Sequence, residues 1–331
     1  MVGKAGIVVL RVIGMFGLAA LAGCGGGGGS PIPLAQYPSS IAEADCHLLV
    51  LCDQFPDQAT CLASYPPYMD PTLAQDIDAR KVSYDGAKAR TCIDGINAFS
   101  ACTSREIDAR RQLDPTCNTM FTGTVQVGGT CFLSSECAGG GPCNVTQSCA
   151  AGQCCAGTCL ASTPPLAEGA DCSTSLVACA VGTTCIVNDT TGAETCEKPP
   201  GAGHPCATGT VNTVGCSSSA YCDPTDGQCK ALAATGAPCD PKFGNCANAD
   251  DRCDVATSVC TPPLAVGSPC DPATPSIFCV AYATCDATTN TCVERAAVGA
   301  ACDPNNPNCL GGTCDPTTSI CTLTPAGGAC Q

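Results

Sequence analysis

Cysteine dominates the chemistry open to this chain: 35 of its 331 residues are cysteine, against two histidines, His47 and His204. Thiols at that density can ligate metals, act as nucleophiles or oxidise to disulfides. Zinc sites favour ligands paired as Cys-x-x-Cys, and no such pair occurs. The nearest is Cys155-Ala156-Gly157-Thr158-Cys159, beside the adjacent Cys154. A Cys-His or Ser-His-Asp site needs one of the two histidines as its base. His47 follows Cys46 in a predicted helix and reads as a structural residue. His204 precedes Pro205 in a loop with no carboxylate nearby, and no Gly-x-Ser-x-Gly elbow accompanies either. Asp240, Asp271, Asp303 and Asp315 recur after cysteines, but calcium gathers six to eight oxygens. One aspartate followed by proline in each unit suits a turn better than a cage. The run Gly25–Gly29 precedes neither strand nor helix and reads as a tether, not a phosphate cradle. No catalytic residue, metal ligand or cofactor is expected, and disulfides are the outlet that remains. They place the chain in an oxidising compartment outside the cytosol.

Composition agrees. With 36 Gly, 26 Pro, no Trp and an aromatic share of 4%, the chain lacks the large side chains that fill a core. Its 45% hydrophobic fraction is swollen by Ala and Cys, so cross-links must replace packing. The balance of 14 basic against 29 acidic residues gives a net charge of -15, which excludes nucleic acid as a partner.

Residues 1–23 read as a signal peptide: a basic start with Lys4 and Arg11, an apolar run from Val12 to Ala22, then Leu21-Ala22-Gly23-Cys24. The run is shorter than the ~20 residues needed to span a bilayer. Leu-Ala-Gly-Cys resembles the lipobox of bacterial lipoproteins. That resemblance implies cleavage between Gly23 and Cys24 and a diacylglycerol on the Cys24 thiol, with Gly25 favouring delivery to the outer membrane. Residues 24–39 are then the lipidated cysteine and a flexible tether containing Gly25–Ser30. The expected location is an exported, lipid-anchored position on a bacterial membrane, with the membrane as one partner.

Residues 40–118 are predicted to form a helical domain. Ser40-Ile41-Ala42-Glu43 has the form of a capping box, followed by Ile41, Leu48, Leu49 and Cys52 near one face. Asp70-Pro71 pairs an N-cap with proline at the first helical position. Ala89, Ile93, Ile96 and Phe99 recur at helical spacing between Asp85 and Ala101. The domain holds Cys46, Cys52, Cys61, Cys92, Cys102 and Cys117, whose connectivity spacing leaves open. The pairing expected is Cys52 with Cys61, Cys102 with Cys117 and Cys46 with Cys92. Its basic residues, Arg105, Arg110 and Arg111 among them, read as a solvated face.

Residues 119–331 change to a repeat that opens each time with Gly-x-x-Cys: Gly128 to Cys131, Gly169 to Cys172, Gly203 to Cys206, Gly236 to Cys239, Gly267 to Cys270 and Gly299 to Cys302. Cys239, Cys246, Cys253 and Cys260 make a clear unit, and Thr261–Val266 is a typical bridge to the next. At about 30 residues a unit lies below the ~40 that burial alone can hold together. Two bridges, each worth roughly 2 to 4 kcal/mol, supply the difference. Cys222-Asp223-Pro224 and Cys314-Asp315-Pro316 start turns between the last two cysteines, which predicts a short two-stranded hairpin per unit. The first unit adds Cys154, Cys155 and Cys159 after Cys149, and the chain closes on a fragment, Gly327-Gly328-Ala329-Cys330. Bridges either close within each unit or join an opening cysteine to the last cysteine of the unit before. The second frame, which pairs Cys321 with Cys330, caps the chain and is the one expected. Units laid end to end would reach on the order of 100 Å.

On these features the chain resembles cysteine-rich lipoproteins abundant in myxobacteria, with repeats similar to the Dickkopf N-terminal cysteine-rich module and more loosely to EGF-type modules. The resemblance implies a small disulfide-rich fold: a helical cysteine-containing domain followed by tandem β-hairpin repeats. It implies no activity, because only cysteine spacing matches. The function expected is non-enzymatic: display at a membrane, with adhesion to or binding of a protein or polysaccharide, or a structural role. The alternative is a stapled-loop inhibitor or toxin-like binder of hydrolases. A calcium-dependent module or a metal enzyme in the helical domain ranks below both.

Overall fold

The computed structural model describes residues 29–103, 117, 119–145, 155–173, 178–187, 193–206, 216–242, 244–273, 279–304 and 308–323. Cys24, Gly23, Cys149, Cys154, Cys330 and Arg105, Arg110 and Arg111 lie outside them.

Part of the expected tether 24–39 is packed into the domain. Ile32 is 2% exposed, its N–H donates to Gly86 O at 3.0 Å, and its carbonyl accepts the Tyr84 hydroxyl at 2.9 Å. A 3-10 turn at Leu34–Gln36 leads into α1 (Tyr37–Leu51), which starts three residues before Ser40 because Pro38 supplies a helical φ in the first turn. Ser40 is therefore inside the helix, and no capping box forms there. The next three helices start at aspartate caps. Asp57 accepts Thr60 N–H at 2.7 Å for α2 (Gln58–Ser64), and Asp70 accepts Thr72 N–H at 2.7 Å for α3 (Pro71–Asp78). Asp85 accepts Ala87 and Lys88 N–H for α4 (Gly86–Asn97). Ala89, Cys92, Ile93 and Ile96 form the buried stripe of α4, as their spacing predicts, although the helix stops at Asn97.

Between α3 and α4 runs β1 (Val82–Tyr84), which pairs antiparallel with β2 (Phe121–Gly123), so the helical domain ends past residue 118. The core joins Ile32, Ala44, Ala89, Ile93, Ile96 and Met120, flanked by Tyr37, Tyr84 and Phe121 with ring centroids 5.2 to 5.9 Å apart.

All three expected bridges of this domain are corrected. Cys46 pairs with Cys61, Cys52 with Cys102, and Cys92 with Cys117. Six positions along a helix of 3.6 residues per turn are about 240° apart, so Cys46 and Cys52 cannot both face α2. Cys46 lies on the buried face of α1 and meets Cys61; Cys52, at the C-cap, turns to the segment after α4.

Each later repeat is one hairpin. These are β6 (Thr184–Val187) with β7 (Glu194–Glu197), β8 (Ala220–Asp223) with β9 (Gln228–Ala231), and β10 (Arg252–Cys253) with β11 (Cys260–Thr261). β12 (Ala283–Asp286) pairs with β13 (Thr291–Glu294), and β14 (Thr313–Asp315) with β15 (Ile320–Thr322). The first repeat is three-stranded, with β5 (Gly157–Cys159) between β3 (Thr130–Cys131) and β4 (Cys143–Asn144). The third and fourth cysteines of a unit stand opposite each other, as Cys285 does Cys292. They bond outward instead of to each other: Cys270 to Cys285 and Cys279 to Cys292, then Cys302 to Cys314 and Cys309 to Cys321.

The expected Cys321–Cys330 bridge is thereby overturned, since Cys321 is taken by Cys309. The physical reason lies in the opening glycine. Gly299 adopts φ +86 and donates its N–H to Cys321 O at 2.8 Å, while Cys321 N–H donates to Ala300 O at 2.9 Å. The same pair of bonds joins Gly267 and Ser268 to Cys292, and Gly236 and Ala237 to Cys260. Each Gly-x-x-Cys turn is thus a strand-like partner for the end of its own unit, and the unit closes on itself.

The repeats do not run out as a rod. In the fourth, Ala249 N–H donates to Cys102 O at 3.3 Å. Tyr282 of the fifth and Leu310 of the sixth pack into one cluster with Cys46, Phe55 and Cys61. The extended reach expected from the sequence gives way to repeats folded back on the helical domain, because Tyr282 and Leu310 offer apolar surface that single small units cannot bury alone. No described helix is long and apolar enough to cross a membrane.

Candidate binding site at the helical domain

The residues that the sequence singles out for chemistry are dispersed. His47 is exposed on α1 and His204 is exposed at the opening of the third repeat. Asp240, Asp271 and Asp315 accept the N–H two residues on, from Lys242, Ala273 and Thr317 at 2.7 to 2.9 Å. The N–H groups of Thr317 and Thr318 hold the Asp315 carboxyl below the usual carboxylate range, as those of Thr289 and Thr288 do for Asp286. These aspartates close turns, and Asp303 is exposed at the same place in its unit. Sulfurs gather in threes within 4.8 Å, as at Cys131, Cys137 and Cys159. Every cysteine among the described residues is disulfide-bonded, so these sulfurs carry no thiolate to offer a metal.

The feature that sequence reading missed lies where α3 and β1 meet the first repeat. Lys81, after α3, sends Nζ to Glu136 Oε1 at 2.9 Å, and Phe132 N–H donates to Glu136 Oε2 at 2.8 Å. The Lys81 ammonium also lies 4.7 Å from the centre of the Phe132 ring. Glu136 is fully buried at 0% exposure, and Asp76 of α3 lies against it at 6%. Burial pushes Glu136 up, but Lys81, the Phe132 N–H and Asp76 outweigh it and hold the group below its ordinary value. Gly123 makes the seam possible: a Cβ there would stand 2.4 Å from the Glu136 carbonyl carbon. The only sequence signal was a lone glutamate beside Cys137 in a unit with no other charge before Cys159.

Beside this seam is a recess of about 900 Å³ between the helical domain and the first repeat. Tyr37, Ile41, Ile96 and Phe121 form one wall, Leu133 and Ser134 another, with Lys88 and Asp45 also lining it. A second hollow, about 390 Å³, lies along α1 where Leu48, Leu49 and Pro66 meet Tyr65 and Tyr68. Those tyrosines are 51% and 55% exposed. Burial, then Asp45 and Tyr84, push the Tyr37 hydroxyl up, so it stays a neutral hydrogen-bonding group. Apolar walls with a few polar groups are the makings of a binding surface. Neither histidine lines either hollow. No family model matches the chain, and no curated protein or solved structure is significantly similar to it.

Proposed function

We propose that this chain is an exported bacterial lipoprotein, anchored through Cys24, that binds a protein or polysaccharide outside the cytosol and catalyses no reaction. The carrying observation is that every described cysteine is disulfide-bonded, a state maintained in oxidising compartments. Cysteine-rich hairpins with two interleaved bridges also support reading the repeats as Dickkopf-like or EGF-like modules. Recognition belongs to the helical domain, whose hollows offer apolar and tyrosine surface, while the first, fifth and sixth repeats pack against it.

Anchoring has a geometric consequence. Cys24 precedes Gly29 by five residues, a backbone reach of at most about 18 Å. Gly29 and Ser30 lie against Arg90, whose Nε donates to Ser30 O at 3.2 Å, and Ile32 is already in the core. A lipid on Cys24 therefore holds the helical domain close to the membrane surface. The test is expression in a bacterial host with labelled palmitate, followed by fractionation and thiol alkylation. The proposal expects label on the wild-type chain and none on Cys24→Ala, with the cysteines oxidised. An unlabelled, thiol-rich cytosolic protein would overturn it.

A further inference from the structure

Among the described residues, two buried side-chain oxygens have no hydrogen-bond partner, Asp76 Oδ2 and Asn308 Oδ1. Asp76 is the informative one, because its neighbour is another carboxyl group. Two ionised carboxylates have only acceptors to offer each other, so burying them together leaves lone pairs unpaired and charges repelling. Lys81 Nζ bonds Glu136 Oε1 at 2.9 Å and does not reach Asp76 Oδ2, which is left without a donor. A proton on one carboxyl turns the clash into a charge-assisted hydrogen bond.

We propose that the seam between the helical domain and the first repeat is a proton-binding site, in which Asp76 is a neutral acid whose Oδ2–H donates to ionised Glu136. When Asp76 loses that proton to solvent, two adjacent carboxylates face a single ammonium and the seam loosens. The charged groups facing the pair are Lys81 from the segment after α3 and Asp70 from the α3 N-cap, and Asp70 adds to the repulsion. Burial, the hydrogen bond with Glu136 and its charge push Asp76 up to about 6, with Lys81 opposing. Glu136 is the partner that stays ionised, because Lys81 and the Phe132 N–H both favour its charged form.

The direction of the pH effect follows from proton binding. The closed seam binds the Asp76 proton more tightly than an open one, where the group returns to about 3.8. The stabilisation is complete below that open value and is lost as pH rises through about 6. The difference amounts to roughly a hundredfold in the closing equilibrium. Ser134 and Cys137, on either side of Glu136, line the large recess, so the same proton steadies one of its walls.

Hydrogen exchange on the full-length mature protein tests this at two seam amides: Phe132, which donates to Glu136 Oε2, and Val125, which donates to Glu136 O at 2.9 Å. After correction for intrinsic rates, protection of the wild type should fall by up to about thirtyfold between pH 4.5 and 7.5. Asp76→Asn, whose amide can donate to Glu136 at every pH, should show no such fall. Flat protection in the wild type, or the same fall in Asp76→Asn, overturns the proposal. Should that variant fail to fold, carbon-13 titration of the wild-type Asp76 carboxyl decides alone. A midpoint near 6 supports the proton site, and one in the ordinary carboxylate range overturns it.

Discussion

Leu310, in the sixth repeat, shares one buried cluster with Phe55 of the helical domain, on top of the Cys46–Cys61 bridge. Two residues more than 250 positions apart in sequence thus close the sixth repeat onto the helical domain. Ser64 Oγ reinforces the closure by donating to Leu310 O at 3.2 Å, and Gly311 leaves room for Ser64 to approach.

That closure depends on apolar burial, so Leu310→Ala should destabilise it by about 2 to 4 kcal/mol. Limited proteolysis should then cleave the sixth repeat away from the helical domain while the hairpin, held by Cys309–Cys321 and Cys302–Cys314, stays intact. Cleavage sites and rates identical to wild type would show that the repeats are not docked through this contact.

The opening glycines make a sharper comparison. Gly267 stands at φ +84, and a Cβ added there would meet nothing within 4 Å, so its requirement is conformational and not spatial. Gly267→Ala should cost about 1 to 2 kcal/mol, whereas Gly201→Ala, with open space and no left-handed φ, should be near neutral. Chemical denaturation of the two variants side by side measures the difference.

Bridge length sets a second ranking. Cys52–Cys102 spans 50 residues and Cys302–Cys314 spans 12. By loop-closure entropy, replacing the first pair with serines should cost about 4 kcal/mol and the second about 3 kcal/mol. Equal losses in denaturant midpoint would place the stabilisation elsewhere than in the unfolded chain.

Stability should peak on the acid side of neutrality. Asp315 and Asp286 have lowered values, so their contribution is present above about 3.8 and disappears as pH falls below it. Asp76, raised to about 6, contributes in the opposite sense and fades as pH rises past that value. Melting temperatures across pH 3 to 8 should therefore pass through a maximum between about 4 and 6. Asp76→Asn should flatten only the upper limb.

Local signals were legible where one short stretch decides the outcome. Asp70 and Asp85 sit at helix starts as their neighbours foretell, α4 follows its apolar spacing, and Asp223 and Asp315 close hairpin turns. What spacing could not convey was which cysteine meets which, since that is decided in three dimensions. Cys46 and Cys52 point in different directions from one helix, and Gly299 returns its hydrogen bond to its own unit. Isolated residues were also opaque. Ile32 between two prolines, Leu310 among glycines and Glu136 beside a cysteine carry no local pattern, yet each joins distant segments.

The most direct measurement is mass spectrometry of the unreduced protein, digested at a pH that prevents disulfide exchange. Peptides linking Cys46 to Cys61, Cys52 to Cys102 and Cys309 to Cys321 are expected, with no free thiol at any of these positions. Free cysteines, or a Cys52–Cys61 peptide, would contradict a fold held by sulfur links that close within each repeat and across the helices.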